Sequence, residues 1–472
     1  MSIIIPANSA VAGGYDVDNS VRLNIASSQT LVRTQGTATN LKKFVWSCWI
    51  KRSTLGAGQY IVQNYNSGTD QAFFYLRGTD DLRFFNRSGG ADTVWVSNGL
   101  FRDVSAWYHL LIKVDTTQGT DTNRLKIFIN GVQDTGNGIT YPGLNADMAL
   151  NTASASNRHS LASTGDGNNY VGGYLSEIVL IDGTSPDYTD FGEFDEDSGV
   201  WKPIEVSGLT YGTNGFYLDF KDSANLGNDA NGGTDFTESG LAAIDQTTDT
   251  CTNNFVTMNP IDNYYASSVF SNGNLTVVTN SSARTWNNST IGLTSGKYYC
   301  EMKSVGVGAG ALIGIIATSP NSTTNRADNN PYAWVYLNGG SMKNDGTSQS
   351  GTWASWANND LIGIALDLDN NKIYFSKNGT WQNTGTANPS TGTDGFAITA
   401  VSSLPATQAG CYFIVCSDDS TSNNATFDWN FGSPPFAISS GNADGNGYGN
   451  FEYAVPSGFF SICTKNLSEA LS

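Results

Sequence analysis

The chain has 472 residues, with 42 acidic against 24 basic side chains and a formal net charge of −18. So acidic a surface, with no Lys/Arg cluster to interrupt it, repels nucleic-acid phosphates and anionic membranes, which leaves neutral glycans, bound cations and protein partners as ligand classes. At this length two or three domains are expected, and the 52 glycines and 12% aromatic content fit many short strands joined by turns better than long amphipathic helices.

In chain order, residues 1–20 are rich in Gly, Ser and Asn and predict an extended arm. Strand signals follow at 21–25, 42–52 (KKFVWSCWIKR), 59–65, 71–78, 81–87, 92–99 and 106–115 (AWYHLLIKVD). The segment 121–133 alternates Leu125, Ile127 and Ile129 and breaks at Asn130-Gly131, a pair that tolerates the positive φ of a tight hairpin. Strands at 170–183 and 215–222 close a first domain over 21–222, with turns at the rhythm of an all-β sandwich. Between them, 187–204 is the best helix candidate, with acids at its start and Pro203 at its end. Residues 223–260 are poor in apolar side chains and rich in turn formers, and predict a linker.

A second run of strands occupies 261–436, at 296–306, 311–319, 332–340, 360–369, 372–381, 396–404, 411–419 and 425–432. It contains a second hairpin of the same kind, KIYFSKNGTW, turning at Asn378-Gly379. A Gly/Asn-rich tail, 437–472, completes an all-β chain of two tandem antiparallel β-sandwich (jelly-roll) domains. The N-terminus lacks the basic and long apolar regions of a secretory signal, and no stretch approaches the ~18 apolar residues of a membrane span. The six cysteines (Cys48, Cys251, Cys300, Cys411, Cys416, Cys463) read as small buried hydrophobes, and Cys411 and Cys416 fall on opposite faces of one strand.

Catalytic material is scarce. Glu193, Asp195 and Asp197 in GEFDEDSG would share a face if they lay on a strand, as the carboxylate pair of a glycoside hydrolase does, but the expected reading is solvated acids on a surface helix. The two histidines, His109 in an apolar strand and His159 in a polar loop, offer no triad or zinc site. No cofactor is expected beyond calcium, for which Asp166, Asp182 and Asp187 are the candidates, against the commoner reading of Asx-turn aspartates. Asn274, Asn288 and Asn378 stand in Asn-x-Ser/Thr triplets that so Asn- and Thr-rich a chain produces by chance.

Glycan binding requires an aromatic platform for the C–H face of a sugar and polar groups for its hydroxyls. Tyr65, Trp95, Tyr332, Trp334, Trp353, Trp356 and Trp381 lie in or beside polar loops and are the ligand-binding candidates, of which strand alternation should bury about half. Trp46, Trp49, Trp107 and Trp429 are assigned to core.

The FVWSCWIK, AWYHLLIKVD, RLKIFING and GYLSEIVLIDG segments resemble the laminin G-like, or concanavalin A-like, lectin superfamily across about 20–222. GKYYCEMK, IGIIATS, DLIGIALDLDNNKIYFSKNGTW and ATFDWNFGSPPF resemble SPRY domains across about 270–435. These resemblances imply lectin-like and peptide-binding sandwiches respectively. The opening MSIIIPANSAVAGGYDVDNSVRLN and the connector LGNDANGGTDFTESGLAAIDQTTDTCTNNFVTMNP resemble virion-associated proteins of marine tailed bacteriophages. That implies a non-enzymatic virion protein, made in the host cytoplasm and extracellular on release. It would be a tail-fibre or surface adhesin for host-surface glycan or protein, attached to other virion proteins through the 1–20 arm and trimeric as phage fibres commonly are. The alternatives are a head or tail decoration protein and, more distantly, a glycan-degrading enzyme.

Overall fold

The structure, a computed structural model, describes residues 14–154, 159–264, 267–308, 310–318 and 326–469. Among the described residues the chain divides into two units, 14–254 and 255–469. Each is an antiparallel β-sandwich, and the only α-helix among the described residues is the short Thr464–Glu469. No helix among them is long and apolar enough to cross a membrane.

In the first unit, one sheet runs in the order Val132–Asp134, Leu125–Ile129, Trp107–Asp115, Lys43–Arg52, Gly173–Asp182, Ser20–Leu23, Gln246–Thr247, with Phe216–Leu218 also paired to Gly173–Asp182. Its two central strands are buried on both faces, hence their near-continuous apolar sequence. The other sheet runs Thr237–Ser239, Thr30–Arg33, His159–Leu161, Gln59–Ser67, Asp70–Leu76, Leu82–Ser88, Ala91–Val96. Between the sheets lie Phe44, Trp46, Cys48, Phe74, Phe84, Trp95, Ile112 and Leu180.

The second unit pairs a seven-stranded sheet, centred on Ala311–Ile316 and Phe413–Asp418, with a nine-stranded one centred on Lys297–Gly306 and Leu361–Asp367. Cys300, Met302, Ile313, Ile364, Cys416 and Trp429 fill the space between them. All six cysteines are buried, and none is in a disulfide among the described residues. Cys416 faces this core and Cys411 packs on the opposite side of its sheet, as alternation requires.

Both Asn-Gly hairpins form two-residue turns. Ile129 pairs with Val132 across Asn130 (φ 48°) and Gly131 (φ 73°), and Lys377 pairs with Thr380 across Asn378 (φ 47°) and Gly379 (φ 78°).

Two expectations need correction, and the tail and the end of the arm find their places. The 187–204 segment is no α-helix: a single 3-10 turn, Tyr188–Asp190, leads into a hairpin of Gly192–Phe194 with Trp201–Pro203. The reason is tertiary, since Phe191 and Trp201 are buried over the outer face of the first sheet and Gly192 lies too close to the Trp201 ring for any side chain. Residues 223–254 are not a linker but part of the first sandwich. Leu226 and Phe236 enter its core, Thr237–Ser239 and Gln246–Thr247 add edge strands, and Asp249 pairs with Lys51 in the interior at 2.8 Å. The tail after 436 is likewise structural. Phe451 and Phe459 cover Tyr299 and Tyr374, while Phe460–Ser461 joins the sheet beside Lys297–Gly306 in parallel. Of the expected arm, residues 1–13 lie outside the described residues. Val17 is buried and exchanges hydrogen bonds with Thr252, so the arm's end is part of the sandwich.

Candidate functional site

In a sandwich the inward faces make the core, so what distinguishes one sheet from another is the chemistry of its outward face. Three of the four outward faces here are apolar and buried. The first sheet of the first unit carries Val45, Leu111, Val179 and Ile181 beneath Phe191, Val206 and Tyr211. In the second unit Tyr299 and Tyr374 lie beneath Phe451 and Phe459, and Leu312, Val335 and Val415 are packed with Ala327.

The outward face of the other sheet of the first unit is different: it is aromatic, and it stays partly exposed. Strand register arranges it as a grid. One row reads Tyr60, Tyr75, Arg83, Val96, the next Gln63, Phe73, Phe85, Val94, and the third Tyr65, Gln71, Arg87, Asp92. All but the buried Gln63 and the exposed Asp92 are partly exposed. Tyr60 stacks on Tyr75 with ring centroids 4.6 Å apart, and the near-parallel rings of Phe73 and Phe85 are 5.7 Å apart. The guanidiniums of Arg83 and Arg87 flank Phe85 at 5.6 and 5.5 Å from its centroid. Arg83 Nη1 donates to the Tyr75 hydroxyl at 3.3 Å, and Arg87 clasps Asp92 through two bonds of 2.6 and 2.9 Å. Such a face offers flat apolar rings framed by hydroxyl, amide and guanidinium groups, the combination that a sugar's C–H face and hydroxyls require.

Of the seven ligand-binding candidates, Tyr65 alone belongs to this grid. Trp95, Trp334 and Trp356 are corrected to core, at 1%, 4% and 3% exposure. Trp95 pairs in register with Phe84 and points inward, while its neighbours Val94 and Val96 point out. Tyr332, Trp353 and Trp381 are half-buried in the second unit, and no ring contact joins them among the described residues. Trp353 leans on Tyr336 at 5.5 Å, and Trp381 on Tyr299 and Tyr374, each at 6.4 Å. The grid's signal was present in the sequence: in QAFFYL and LRFFNR five of the six residues of the solvent parity, all but Gln71, are aromatic or Arg, where a bare face should be plainly polar.

The calcium candidates do not converge, and no three His, Cys, Asp or Glu side chains come together as metal ligands among the described residues. Asp182 is buried with its carboxylate saturated. It accepts from the amides of Thr39 (2.7 Å), Asn40 (3.2 Å) and Asn214 (2.9 Å) and from Asn151 Nδ2 (2.6 Å), which leaves no lone pair for a cation. Asp187 caps the 190 turn and pairs with Lys113 at 3.3 Å, and Asp166 sits in an exposed turn.

One constellation looks catalytic on paper. Ser47, His109 and Glu177 line a single small pocket of the first unit, with Ser47 Oγ 2.7 Å from His109 Nε2. However, Trp201 Nε1, which can only donate, bonds to His109 Nδ1 at 3.0 Å. The ring proton therefore resides on Nε2 and points at Ser47, so this imidazole cannot take the serine proton. Burial also pushes the His109 pKa down to about 3. Glu177 accepts from Tyr217 at 2.8 Å and from Tyr15 at 3.4 Å. At the surface, Lys202 bridges Glu193 (3.2 Å) and Asp195 (3.4 Å). The Ser198 amide and hydroxyl, helped by Lys202, hold Asp195 below the usual carboxylate range, the opposite of what a general acid needs.

Residues 26–184 match the concanavalin A-like lectin/glucanases superfamily and residues 297–417 match the SPRY domain. Among solved structures the chain is similar to the SPRY domain of human HERC1, with 17% identity over 36% of this chain and 96% of that one and a TM-score of 0.28. It is similar to stonustoxin, with 16% identity, coverage of 37% and 27% and a TM-score of 0.26. A heptameric SAP-like pentraxin from Limulus polyphemus has 12% identity, coverage of 37% and 80% and a TM-score of 0.26. No curated protein matches the chain.

Proposed function

We propose, starting from a laminin G-like domain followed by a SPRY domain, that the protein binds and does not catalyse. The first sandwich takes carbohydrate on the Tyr60–Phe73–Tyr75–Phe85 face, and the SPRY domain takes a protein partner, as that resemblance implies. One observation carries this reading: of four outward sheet faces, three are buried by the chain itself, while the aromatic one is left partly open. The setting proposed is the surface of a bacteriophage particle, where the protein serves as a tail-fibre or other displayed adhesin for host-surface glycan. The opening and connector sequences support that setting.

Binding to immobilised polysaccharide and to candidate host cells tests the reading. Replacing Phe73 and Phe85 together by Ala should weaken glycan binding about tenfold or more, the equivalent of ~1.4 kcal/mol, with little change in unfolding midpoint because neither ring is in the core. Binding that survives this double substitution would place the site elsewhere.

A further inference from the structure

The four aromatic rings account for affinity toward any pyranose, but they do not account for the two arginines among them. On a molecule of net charge −18, the grid sets Arg83 and Arg87 against the carboxylate of Asp92, with Asp166 acting on Tyr60 at its edge, so the acid excess of the molecule is not repeated there. The two guanidiniums are not equivalent. Arg87 is already committed to Asp92 through two charge-assisted bonds. Among the described residues Arg83 makes no ion pair, Asp92 acting on it only at longer range; it makes one hydrogen bond, to the neutral Tyr75 hydroxyl, and its Nε is buried without a partner. Its position is fixed by the Tyr75 bond on one neighbouring strand and by the Phe85 ring on its own. A guanidinium held in place beside apolar rings, with Nη1 and Nη2 donors still unspent, matches a planar carboxylate.

We propose that this face recognises an acidic sugar residue, a single carboxylate on an otherwise neutral glycan, and that Arg83 is the group that receives it. The inference rests on the carbohydrate reading above and adds the chemistry of the sugar. The charge of the whole molecule sets the limit on ligand charge. Near the surface Arg83 acts at contact distance, whereas the other charges act through solvent and are screened over about 8 Å at physiological ionic strength. One carboxylate at Arg83 therefore gains a paired, partly desolvated contact and feels little of the remainder. A dense polyanion lying along the face, about 14 Å wide across four strands, would run out over the acidic surface beyond it and be repelled.

The test uses the full chain and three probes: glucuronoxylan, whose neutral backbone bears sparse uronates; the same polymer with its carboxyls reduced to alcohols; and polygalacturonate. The proposal expects glucuronoxylan to bind, its reduced form to bind about tenfold more weakly or worse, and polygalacturonate to bind no better than glucuronoxylan. Arg83→Gln should erase the difference between the native and reduced polymers, and Arg83→Lys should restore part of it. Equal binding of native and reduced polymer overturns the charge inference and leaves the aromatic platform standing. Absence of binding to either overturns both. Tight binding of polygalacturonate that is indifferent to Arg83→Gln would show unspecific polyanion attraction and overturn the inference as well.

Discussion

Glu177 lies at φ 49° where the ladder of Gly173–Asp182 slips out of register, and it is 6% exposed. Burial, opposed by the Tyr217 bond, pushes its pKa up to about 7. A carboxyl raised above its unfolded value destabilises the fold when ionised. The cost is absent below about pH 4.5, grows as pH rises toward about 7 and is constant above that. Glu177→Gln keeps an acceptor for Tyr217 and removes the charge. Its urea midpoint should exceed that of the parent at pH 8 by the equivalent of about 3 kcal/mol, and the two should converge toward pH 4. A constant offset at every pH would mean that packing, not ionisation, sets the difference. The same scale explains Trp95: its neighbourhood of Asn98 and Gly99 looked like a loop platform, but it lies on the strand's inward parity beside Phe84, one position from the outward Val94 and Val96.

At the scale of elements, the two Asn-Gly hairpins do the same work in both sandwiches. Asn130 Oδ1 accepts from the His109 amide at 2.7 Å and Asn378 Oδ1 from the Leu361 amide at 2.8 Å, so each turn also pins the strand beside it. Each glycine then lies under an aromatic ring from a covering segment, Trp201 over Gly131 and Tyr453 over Gly379. Gly131→Ala should therefore cost more than the ~1 kcal/mol of backbone strain that positive φ imposes, because a methyl group there runs into the buried Trp201 ring. Gly379→Ala meets Tyr453, which is half-exposed and can move, so its cost should stay nearer the strain alone. Chemical denaturation of the two variants measures the difference, and equal costs would show that the rings do not matter. The hairpins were legible because Asn-Gly is a local signal. The covering segments at 187–206 and 437–463 were not, because their aromatic residues are spaced for a surface in three dimensions and follow neither a helical nor a strand period.

At the scale of the molecule, the unit boundary falls after Asn254 rather than near residue 222, and the reason is a core completed late in the chain. Leu226 and Phe236 fill it, and Asp249 neutralises Lys51, whose side chain is 1% exposed and which also donates to Asn254. A fragment of residues 1–254 should melt in one cooperative transition. A fragment ending at 222 strands the Lys51 charge, a loss of ~3–5 kcal/mol by itself, and opens the core, so it should bind hydrophobic dyes or aggregate. Cooperative melting of the shorter fragment would show that the 223–254 segment is the dispensable connector its composition suggested.

By itself the sequence determined the fold class, the two tandem sandwiches, most strand positions, both hairpins and the burial of Trp46, Trp49, Trp107 and Trp429, since alternation and turn chemistry act over a few neighbouring residues. The tertiary structure decided which outward faces the chain covers and which it leaves open. Aromatic residues such as Tyr174 and Phe73 look alike in sequence. Among the described residues it is the packing of distant segments, Val17, Trp201 and Cys251, that makes Tyr174 core, while Phe73 stays partly exposed.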